Sequence, residues 1–332
     1  MASALQLAVL NPGGRDREQS FPDFAGSPGD AHPPVNYHAY AACTGGTFFR
    51  DPARIPLAQR AVLLVLRSDL KHCLKTLRQL KDEGRKVAVS LKESGLHQVA
   101  KLLADAENTM LFREICVLAD GCLASTPDLV GIYLAAGART ARFVPTPYPV
   151  DSDQWNFALP LAERSGIFIG TREWKTPSRN HAAALLLASS LGAPVTVLNE
   201  EGRTGRKRID AAGLASPQII EGRLPYADYL RLVARHRIVL QLDRSAVPGQ
   251  VAGDTLLCGV PCVGGDGAIE RIAFPDTCGL GRDAQELREI AARLLQDDPA
   301  CEAAAAQSRR IALDKLSFSA VSRDLAHYFS SL

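Results

Sequence analysis

The sequence predicts an α/β protein in which helices cover parallel sheets, organised in two domains. Strand-like apolar runs alternate with helix-like segments almost throughout the chain, and this order is typical of strand–helix–strand units. The 332 residues are enough for two domains of ordinary size, and a hydrophobic content of 46% is enough to fill two cores. We find no internal repeat that would indicate a solenoid or a propeller instead.

The first half contains short apolar runs of strand length, followed by loops or by segments with helical spacing. We expect strands over residues 5–10, 35–42, 61–66, 86–91, 121–124 and 143–145. We expect helices over residues 68–83, 98–104, 110–118 and 127–136, the first with Ser68 as its cap and Gly84 as its stop. Residues 11–34 are rich in Gly, Pro and Asp and predict a long irregular loop.

The second half repeats this plan after a stiff linker that contains Pro145, Pro147 and Pro149. We expect strands over residues 166–170, 195–198, 219–220 and 238–242. We expect helices from Ser178 to a stop at Gly192, over residues 226–234, and from residue 284 onward. The shared plan of the two halves is that of two Rossmann-like domains.

Composition excludes several classes of protein. A net charge of +2 with 22% charged residues does not fit a disordered chain or a general nucleic-acid coat. No apolar run reaches the roughly 18 residues that span a bilayer, and the first ten residues predict a strand rather than a signal peptide. The eight cysteines form no CxxC pair, so we expect free thiols in a reducing cytoplasm and no metal at Cys258 and Cys262.

Residues 245–265 are the most informative segment of the chain. They follow an apolar run and contain a glycine loop with Gly249, the carboxylate Asp254, a short apolar helix and a strand that ends at Gly264. That order suits a pocket at the carboxyl edge of a parallel sheet, where small residues let a ligand approach backbone amides. A carboxylate at the helix start can accept hydrogen bonds from sugar hydroxyls.

This segment resembles the nucleotide-sugar site of GT-B glycosyltransferases, in particular the large retaining family that includes sucrose-phosphate and mannosyl transferases. That family carries two glutamates and a Gly-x-Pro here. Asp254 stands in place of the second glutamate, Gly259-Val260-Pro261 keeps the Gly-x-Pro, and Ala246 replaces the first glutamate. The lost carboxylate normally contacts the transferred sugar, so the resemblance leaves open a different sugar or an absence of turnover.

Three further segments carry the same resemblance. Residues 143–151 are similar to the interdomain strand and its Val-Asp hinge, residues 220–229, which include Leu224, to the base-binding strand end, and residues 318–328 to the terminal helix. The resemblance implies two Rossmann-like domains facing a cleft. These would be an acceptor domain over residues 1–155, a nucleotide-sugar domain over residues 156–315, and a helix over residues 316–332 that crosses back to the first domain.

The resemblance also implies ligands for the donor. Gly13 and Gly14 would let the first loop approach the donor phosphate and the reacting sugar, although a plain turn is equally compatible. Arg172 and Lys175 would clamp the diphosphate, with Arg179 as a substitute for either, unless this segment is a solvated loop.

The nucleotide would meet the second domain at two further places. Asp254 and Thr255 would start the helix after the loop of Gly249 and bind the ribose, unless Asp254 is only a helix cap. Leu224 would lie beside the base. Glu270 stands where the family often keeps a glutamate, although a surface position on a helix is equally compatible.

The catalytic candidates are Glu93 and His97, which follow a predicted strand of the first half. Either side chain could orient or deprotonate an acceptor hydroxyl. The family usually carries His-Asp at this strand end, where the chain has Lys92-Glu93. His97 is also compatible with a position on a helix surface.

We expect no metal and no cofactor other than the donor substrate. Asp151-Ser152-Asp153 spells the DxD motif, which holds a metal in another transferase fold, but here it lies at the predicted hinge. GT-B enzymes generally neutralise the leaving diphosphate with cationic side chains and helix ends instead.

Lys71, Lys75 and Arg78 share one face of a predicted helix. Such a face either contacts an anionic membrane or is simply solvated. Peripheral contact with the inner membrane face is therefore an open possibility for a cytoplasmic protein. Nucleic acid is a poorer partner, because aromatic residues total 6% and do not alternate with the basic residues.

The leading hypothesis is a glycosyltransferase that moves a sugar from a nucleoside diphosphate sugar to an acceptor hydroxyl. The resemblance implies retention of the anomer, a weak preference for a UDP-sugar, and a glycan, lipid or protein acceptor. Two alternatives stay open. The chain is a silent GT-B protein that binds a nucleotide sugar or a protein partner, or it is an epimerase acting on a nucleotide sugar, although the acidic and histidine residues typical of an epimerase are not evident.

Overall fold

The computed structural model describes residues 5–29, 32–92, 95–170 and 174–332. It confirms the predicted fold class, an α/β protein with parallel sheets. The chain divides into two compact units, each with its own sheet. The first unit comprises residues 1–152 and 315–332, and the second comprises residues 153–314.

The first unit contains seven strands and, before the second unit begins, five helices among its described residues. The strands are β1 Ala8–Leu10, β2 Gln19–Ser20, β3 Thr47–Phe49, β4 Ala61–Leu66, β5 Lys86–Leu91, β6 Gly121–Ala124 and β7 Ala141–Phe143. The helices are α1 Tyr37–Ala42, α2 Leu70–Asp82, α3 Leu96–Leu103, α4 Ala106–Leu118 and α5 Asp128–Ala135.

The first sheet has the strand order β2-β3-β1-β4-β5-β6-β7 and is parallel except for the edge pair β2–β3. Leu10 pairs with Leu64, and Leu66 pairs with Leu91. Apolar residues on the two faces of the sheet pack into separate clusters, one beneath α2, α4 and α5 and the other beneath α1. Burial on both faces explains why β4 and β5 appear in the sequence as nearly continuous apolar runs.

The structure corrects two expectations in the first unit. The predicted strand over residues 35–42 is the helix α1, all six residues of which are buried, and the prediction missed β3 within residues 43–60. Ser68 does not cap α2, because the N-cap is Asp69, whose carboxylate accepts a hydrogen bond of 3.0 Å from the amide of His72.

The second unit contains a five-stranded parallel sheet with the order β10-β9-β8-β11-β12. Its strands are β8 Ile167–Ile169, β9 Val195–Asn199, β10 Gln218–Glu221, β11 Ile238–Leu240 and β12 Cys262–Val263. Its helices are α6 His181–Ser189, α7 Arg203–Ala211, α8 Tyr226–Ala234, α9 Gln250–Cys258, α10 Ala268–Ala273, α11 Ala284–Gln296 and α12 Asp298–Lys315.

Two expectations in the second unit are corrected, and two of its helices are absent from the prediction. Ser178 lies in a short 3-10 turn, and α6 begins instead after Asn180, which has a φ of 52°. The helices α7 and α10 have no counterpart among the predicted elements. The helix after the glycine loop begins at Gln250, so Asp254 and Thr255 lie in its second turn rather than at its start.

The final helix, α13 Phe318–Ser331, packs within the first unit. Its apolar face contributes Phe318, Val321, Leu325, Tyr328 and Phe329 to the cluster that includes residues of β1 and α1. Asp151 accepts hydrogen bonds of 3.3 Å and 3.1 Å from the amides of Phe318 and Ser319 at the start of this helix. The first carboxylate of the DxD motif therefore has a structural role in the fold.

Candidate functional site

The second sheet reverses its order of strand addition between β8 and β11. The chain builds from β8 toward β9 and β10 on one side and then returns to add β11 and β12 on the other. Such a reversal opens a crevice outside the carboxyl ends of the two central strands, where open α/β sheets bind their ligands. The described residues of the loops at this crevice are 170 and 174–180, after β8, and 241–249, after β11.

The loop after β11 is held by two carboxylates, the buried Asp243 and the half-buried Asp266. Asp243 forms an ion pair with Arg179 and accepts a hydrogen bond of 2.8 Å from the amide of Ser245. Asp266, which follows β12, accepts a hydrogen bond of 2.8 Å from the amide of Ala246. These bonds fix Ala246 with a φ of 48°, a left-handed conformation that is uncommon for a residue with a Cβ atom. The wall of the crevice is therefore held by hydrogen bonds and an ion pair within the protein.

Gly249 ends this loop and begins α9. Its φ of 95° lies in the left-handed region, and a Cβ atom there would overlap Oε2 of Glu270. Glu270 is 2% exposed, its Oε1 accepts a hydrogen bond of 2.6 Å from Nε2 of Gln241, and its Oε2 has no hydrogen-bond partner among the described residues. Burial raises the pKa of Glu270 to about 8, so its carboxyl group is largely protonated at neutral pH.

Two more glycines press against the same carboxyl group. A Cβ atom would lie 2.8 Å from Oε1 of Glu270 at Gly265 and 2.5 Å from Oε2 at Gly267. Glu270 thus fills the space that three glycines leave between the loop after β11 and the loop after β12. The surface position considered from the sequence is wrong.

Asp254 and Thr255 are both buried in the middle of α9. The Tyr226 hydroxyl donates a hydrogen bond of 2.5 Å to Oδ1 of Asp254, which is 2% exposed. The Thr255 hydroxyl donates one of 2.7 Å to the carbonyl oxygen of Ala252 in the same helix. Asp254 is therefore not a helix cap.

The remaining predicted residues of this unit lie on three loops. Arg172 lies outside the described residues. Lys175 is exposed on the loop after β8, next to the buried Trp174, whose Nε1 has no hydrogen-bond partner among the described residues. Leu224 is half-buried between β10 and α8. Arg179 is committed to the ion pair with Asp243, so its role in this structure is to hold the loop.

The first sheet has its own reversal point between β1 and β4. Gly13 is exposed on the turn after β1, with a φ of 66° and open space where a side chain would lie. Gly14 is buried, and a Cβ atom there would lie 2.5 Å from Nδ2 of Asn11 and 3.0 Å from Nη1 of Arg67. Glycine at position 14 therefore lets a side chain from the end of β4 lie directly against the loop.

Of the two catalytic candidates, the structure describes His97 and not Glu93. Glu93 lies outside the described residues. His97 is exposed in the first turn of α3. Between β5 and α3, Lys92 forms an ion pair in which its Nζ lies 2.5 Å from Oδ2 of Asp16. Burial opposes the ionisation of Asp16, but the hydrogen bond and charge of Lys92 outweigh it and lower the pKa of the Asp16 carboxyl group.

The basic face of α2 is paired with acidic residues of α4. Nζ of Lys71 lies 2.6 Å from Oε1 of Glu107, and Arg78 forms an ion pair with Glu114. These pairs reduce the positive charge that the helix presents. Across the described ranges, no helix is long and apolar enough to cross a membrane, and no cluster of His, Cys, Asp and Glu side chains has the makeup of a metal site.

Sequence reasoning missed Asn11, Arg67, Asp243 and Asp266, all of which lie at the two reversal points. Asn11 and Arg67 directly follow β1 and β4, and Asp243 and Asp266 lie three residues after β11 and β12. A polar residue just after a buried parallel strand is the signal that would have identified them.

Comparison with solved structures identifies proteins that share the fold of this chain. No protein-family model matches the chain, and no curated protein matches its sequence. Among solved structures, Anabaena HepE in complex with UDP and glucose is 16% identical, with a TM-score of 0.60 over 81% of this chain and 78% of that one. A UDP-forming α,α-trehalose-phosphate synthase from Burkholderia xenovorans is 12% identical, with a TM-score of 0.61 over 81% and 73%.

An α-glucosyltransferase in complex with UDP-glucose and DNA containing an abasic site matches over the whole length. It is 11% identical, with a TM-score of 0.63 over 98% of both chains. These neighbours have the GT-B architecture of two Rossmann-like domains, and the chain has the same fold. Identities of this size establish the fold and leave the activity to be argued from the site.

Proposed function

We propose that this protein is a glycosyltransferase that moves a sugar from a nucleoside diphosphate sugar, with UDP preferred, to an acceptor hydroxyl. The observation that carries the proposal is the hydrogen-bonded glycine loop of residues 245–249, which leads into α9 at the reversal point of the second sheet. Neighbours of the same fold hold UDP or a UDP-sugar.

The proposed donor site uses the charges at this edge. The amides at the start of α9 and the side chains of Lys175 and Arg172 would bind the diphosphate, because all of them favour negative charge as the sugar bond breaks. The base would lie beside Leu224. Asp254 would bind the ribose, which requires a ribose hydroxyl to join or replace the Tyr226 hydroxyl on its carboxylate.

In the first unit, Gly13 and Gly14 would approach the reacting end of the donor. The proposed reaction retains the anomeric configuration, with the diphosphate oxygen helping to take the acceptor proton, and it needs no metal. Glu93 and His97 stay candidates for orienting the acceptor. Product anomers identified by NMR, and turnover measured in excess EDTA, test retention and metal independence separately.

The first prediction concerns donor binding. In a thermal-shift screen of UDP, GDP, ADP and dTDP, we expect UDP to stabilise the protein most, by about 2.7 kcal/mol at 100 times its Kd. Replacing Lys175 and Arg172 with Ala should remove most of this stabilisation, because both cations would face the diphosphate. Arg113→Ala, on the exposed surface of α4, is the matched control for a lost positive charge.

Two outcomes would contradict the proposal in different ways. No stabilisation by any nucleotide would argue against the whole donor site. Stabilisation by UDP without release of UDP from a UDP-sugar, across a screen of acceptors, would favour a silent binding protein. Because a neighbour that holds DNA matches the full chain, the screen includes DNA beside glycan, lipid and protein acceptors.

We do not propose membrane contact, since Lys71 and Arg78 are paired with carboxylates.

A further inference from the structure

An arginine at the reversal point of the first sheet has a buried nitrogen without a hydrogen-bond partner among the described residues. Arg67 follows β4 directly, and its Nη1 is buried against the loop after β1, 3.0 Å from the Cβ position of Gly14. Among the residues described, this nitrogen has no hydrogen-bond partner. A buried guanidinium nitrogen without an acceptor is costly, so its position calls for an anion or another acceptor at the site.

The neighbouring side chains leave a net positive charge. Asn11 donates a hydrogen bond of 3.0 Å from Nδ2 to Oδ2 of Asp16, and Lys92 lies 2.5 Å from the same oxygen. One carboxylate therefore serves Lys92, and nothing in the described chain neutralises Arg67. Oδ1 of Asn11, a residue that is 1% exposed, also has no hydrogen-bond partner among the described residues.

The same sheet edge carries two more unsatisfied groups. Arg67, Lys92 and Ser125 directly follow β4, β5 and β6, so all three lie at the carboxyl edge of the sheet. The last pair of the β4–β5 register is Leu66 with Leu91, which brings Arg67 and Lys92 to neighbouring strand ends. Ser125 and Thr126 are each 1% exposed, and their hydroxyl oxygens have no hydrogen-bond partner among the described residues. The edge thus offers a cation near β1 and free hydroxyl groups near β6.

We propose that this edge binds a phosphorylated acceptor, with Arg67 holding its phosphate monoester. The assignment rests on the proposed glycosyl transfer, because it names the class of acceptor for that reaction. The hydroxyl groups of Ser125 and Thr126 and the side-chain Oδ1 of Asn11 would form hydrogen bonds with hydroxyl groups of the same small molecule. Gly14 keeps the guanidinium in place, since any side chain there would displace it.

A phosphate monoester fits better than a carboxylate. The planar guanidinium can donate two parallel hydrogen bonds to two phosphate oxygens, and a monoester keeps a third free oxygen for Lys92 or a hydroxyl group. Among the described residues, the site contains two cations, Arg67 and Lys92, and one carboxylate, Asp16, which suits the monoester dianion. Arg67 is only partly buried as a residue, so part of it is accessible to a ligand.

The test is calorimetric titration of the full-length protein with glucose 6-phosphate, inorganic phosphate and glucose. Glucose 6-phosphate and phosphate should bind to the wild type, and glucose should bind much more weakly. Arg67→Gln should weaken phosphate binding at least tenfold. The phosphate affinity of Arg67→Lys should lie between those of the wild type and Arg67→Gln, because Lys keeps the positive charge but cannot donate two parallel hydrogen bonds. Arg113→Gln removes one exposed charge and should change nothing.

Equal phosphate affinity in Arg67→Gln and Arg113→Gln would overturn the proposal, as would equal affinity for glucose and glucose 6-phosphate. The UDP titration of the same variants separates the two possible sources of the phosphate. UDP affinity should survive Arg67→Gln, and its loss would assign Arg67 to the donor diphosphate and overturn the acceptor assignment. Failure of UDP to bind the wild type would count against the proposed function alone.

Discussion

At the scale of single residues, the buried carboxyl group of Glu270 supports the glycine loop by packing against it. It lies among Gly249, Gly265 and Gly267 and bonds to Gln241, with no cation within hydrogen-bonding distance in the described chain. Such a group is tolerated because it stays protonated, in agreement with a pKa that burial raises to about 8. The support of the glycine loop therefore depends on pH.

The pH dependence has a defined sign. In the unfolded chain the pKa of Glu270 returns to about 4.5, so between pH 4.5 and 8 the folded state holds a proton that the unfolded state has lost. The contribution of Glu270 to stability is full below pH 4.5 and is lost as the pH rises to 8. Glu270→Gln, a neutral isostere, should flatten this decline, by an amount on the order of a few kcal/mol.

The measurement is the free energy of unfolding from urea titrations between pH 5 and 8. Glu302→Gln, at an exposed position on α12, is the control for removing a carboxylate. Parallel pH profiles for the wild type and Glu270→Gln would show that Glu270 is ionised in the folded protein, against the expectation.

Gly249 gives a second prediction at this scale. Gly249→Ala should destabilise the protein by more than about 2 kcal/mol and abolish UDP stabilisation, because the new methyl group overlaps Glu270 and α9 must shift. Gly192→Ala is the matched control, since Gly192 also has a positive φ, of 64°, but has open space around its Cβ position. Its cost should be limited to the backbone conformation, about 1 kcal/mol. Similar losses in the two variants, in thermal and urea unfolding, would disprove the steric argument.

At the scale of elements, α1 shows where local pattern misleads. Residues 35–42 contain Val35, Tyr37 and Tyr40, and β-branched and aromatic residues favour strands. In the fold all of α1 is buried, and the Tyr37 and Tyr40 hydroxyls donate hydrogen bonds to the carbonyl oxygens of Leu91 and Val144. Those partners are distant in sequence, so tertiary contacts decide between helix and strand.

The helix α13 allows a prediction about the first unit. Leu325 is fully buried in its core, and Leu325→Ala should destabilise that unit by roughly 2–5 kcal/mol. Both tryptophans, Trp155 and Trp174, lie in the second unit. The melting transition in far-UV circular dichroism, which reports on both units, should therefore move more than the transition in tryptophan fluorescence.

Arg323→Ala, on the exposed face of the same helix, is the control. It should leave both transitions within about 0.5 kcal/mol of the wild type. An equal shift of the fluorescence and dichroism transitions in Leu325→Ala would show that α13 stabilises both units, contrary to its packing in the core of the first.

At the scale of the whole molecule, the two units share one pattern of strand addition. Each unit adds strands first on one side of its opening strand and then on the other. In each unit, candidate site residues lie at the resulting reversal point. In the second unit this edge carries a hydrogen-bonded glycine loop, which fits the proposed donor. In the first unit it carries Arg67, whose buried Nη1 has no hydrogen-bond partner in the described part of the chain, which fits the proposed anionic acceptor.

The fold class and most of the strands could be predicted from the sequence, and so could the position of residues 245–265 at the carboxyl edge of a sheet. The physical reason is that burial on both faces of a parallel strand leaves an apolar run, and that glycine and proline mark the turns between runs. Strands such as β4, β5 and β6 could be predicted to the residue, and so could α8.

Only the tertiary structure decided which polar groups share a site. The ion pair of Asp243 with Arg179, the packing of Glu270 among three glycines, and the position of Arg67 against Gly14 join segments that are separated in sequence. Strand order and register bring these segments together, and neither is a property of a local window. Burial then sets the charge of each group, which is why Glu270 is protonated and Asp16 ionised at neutral pH.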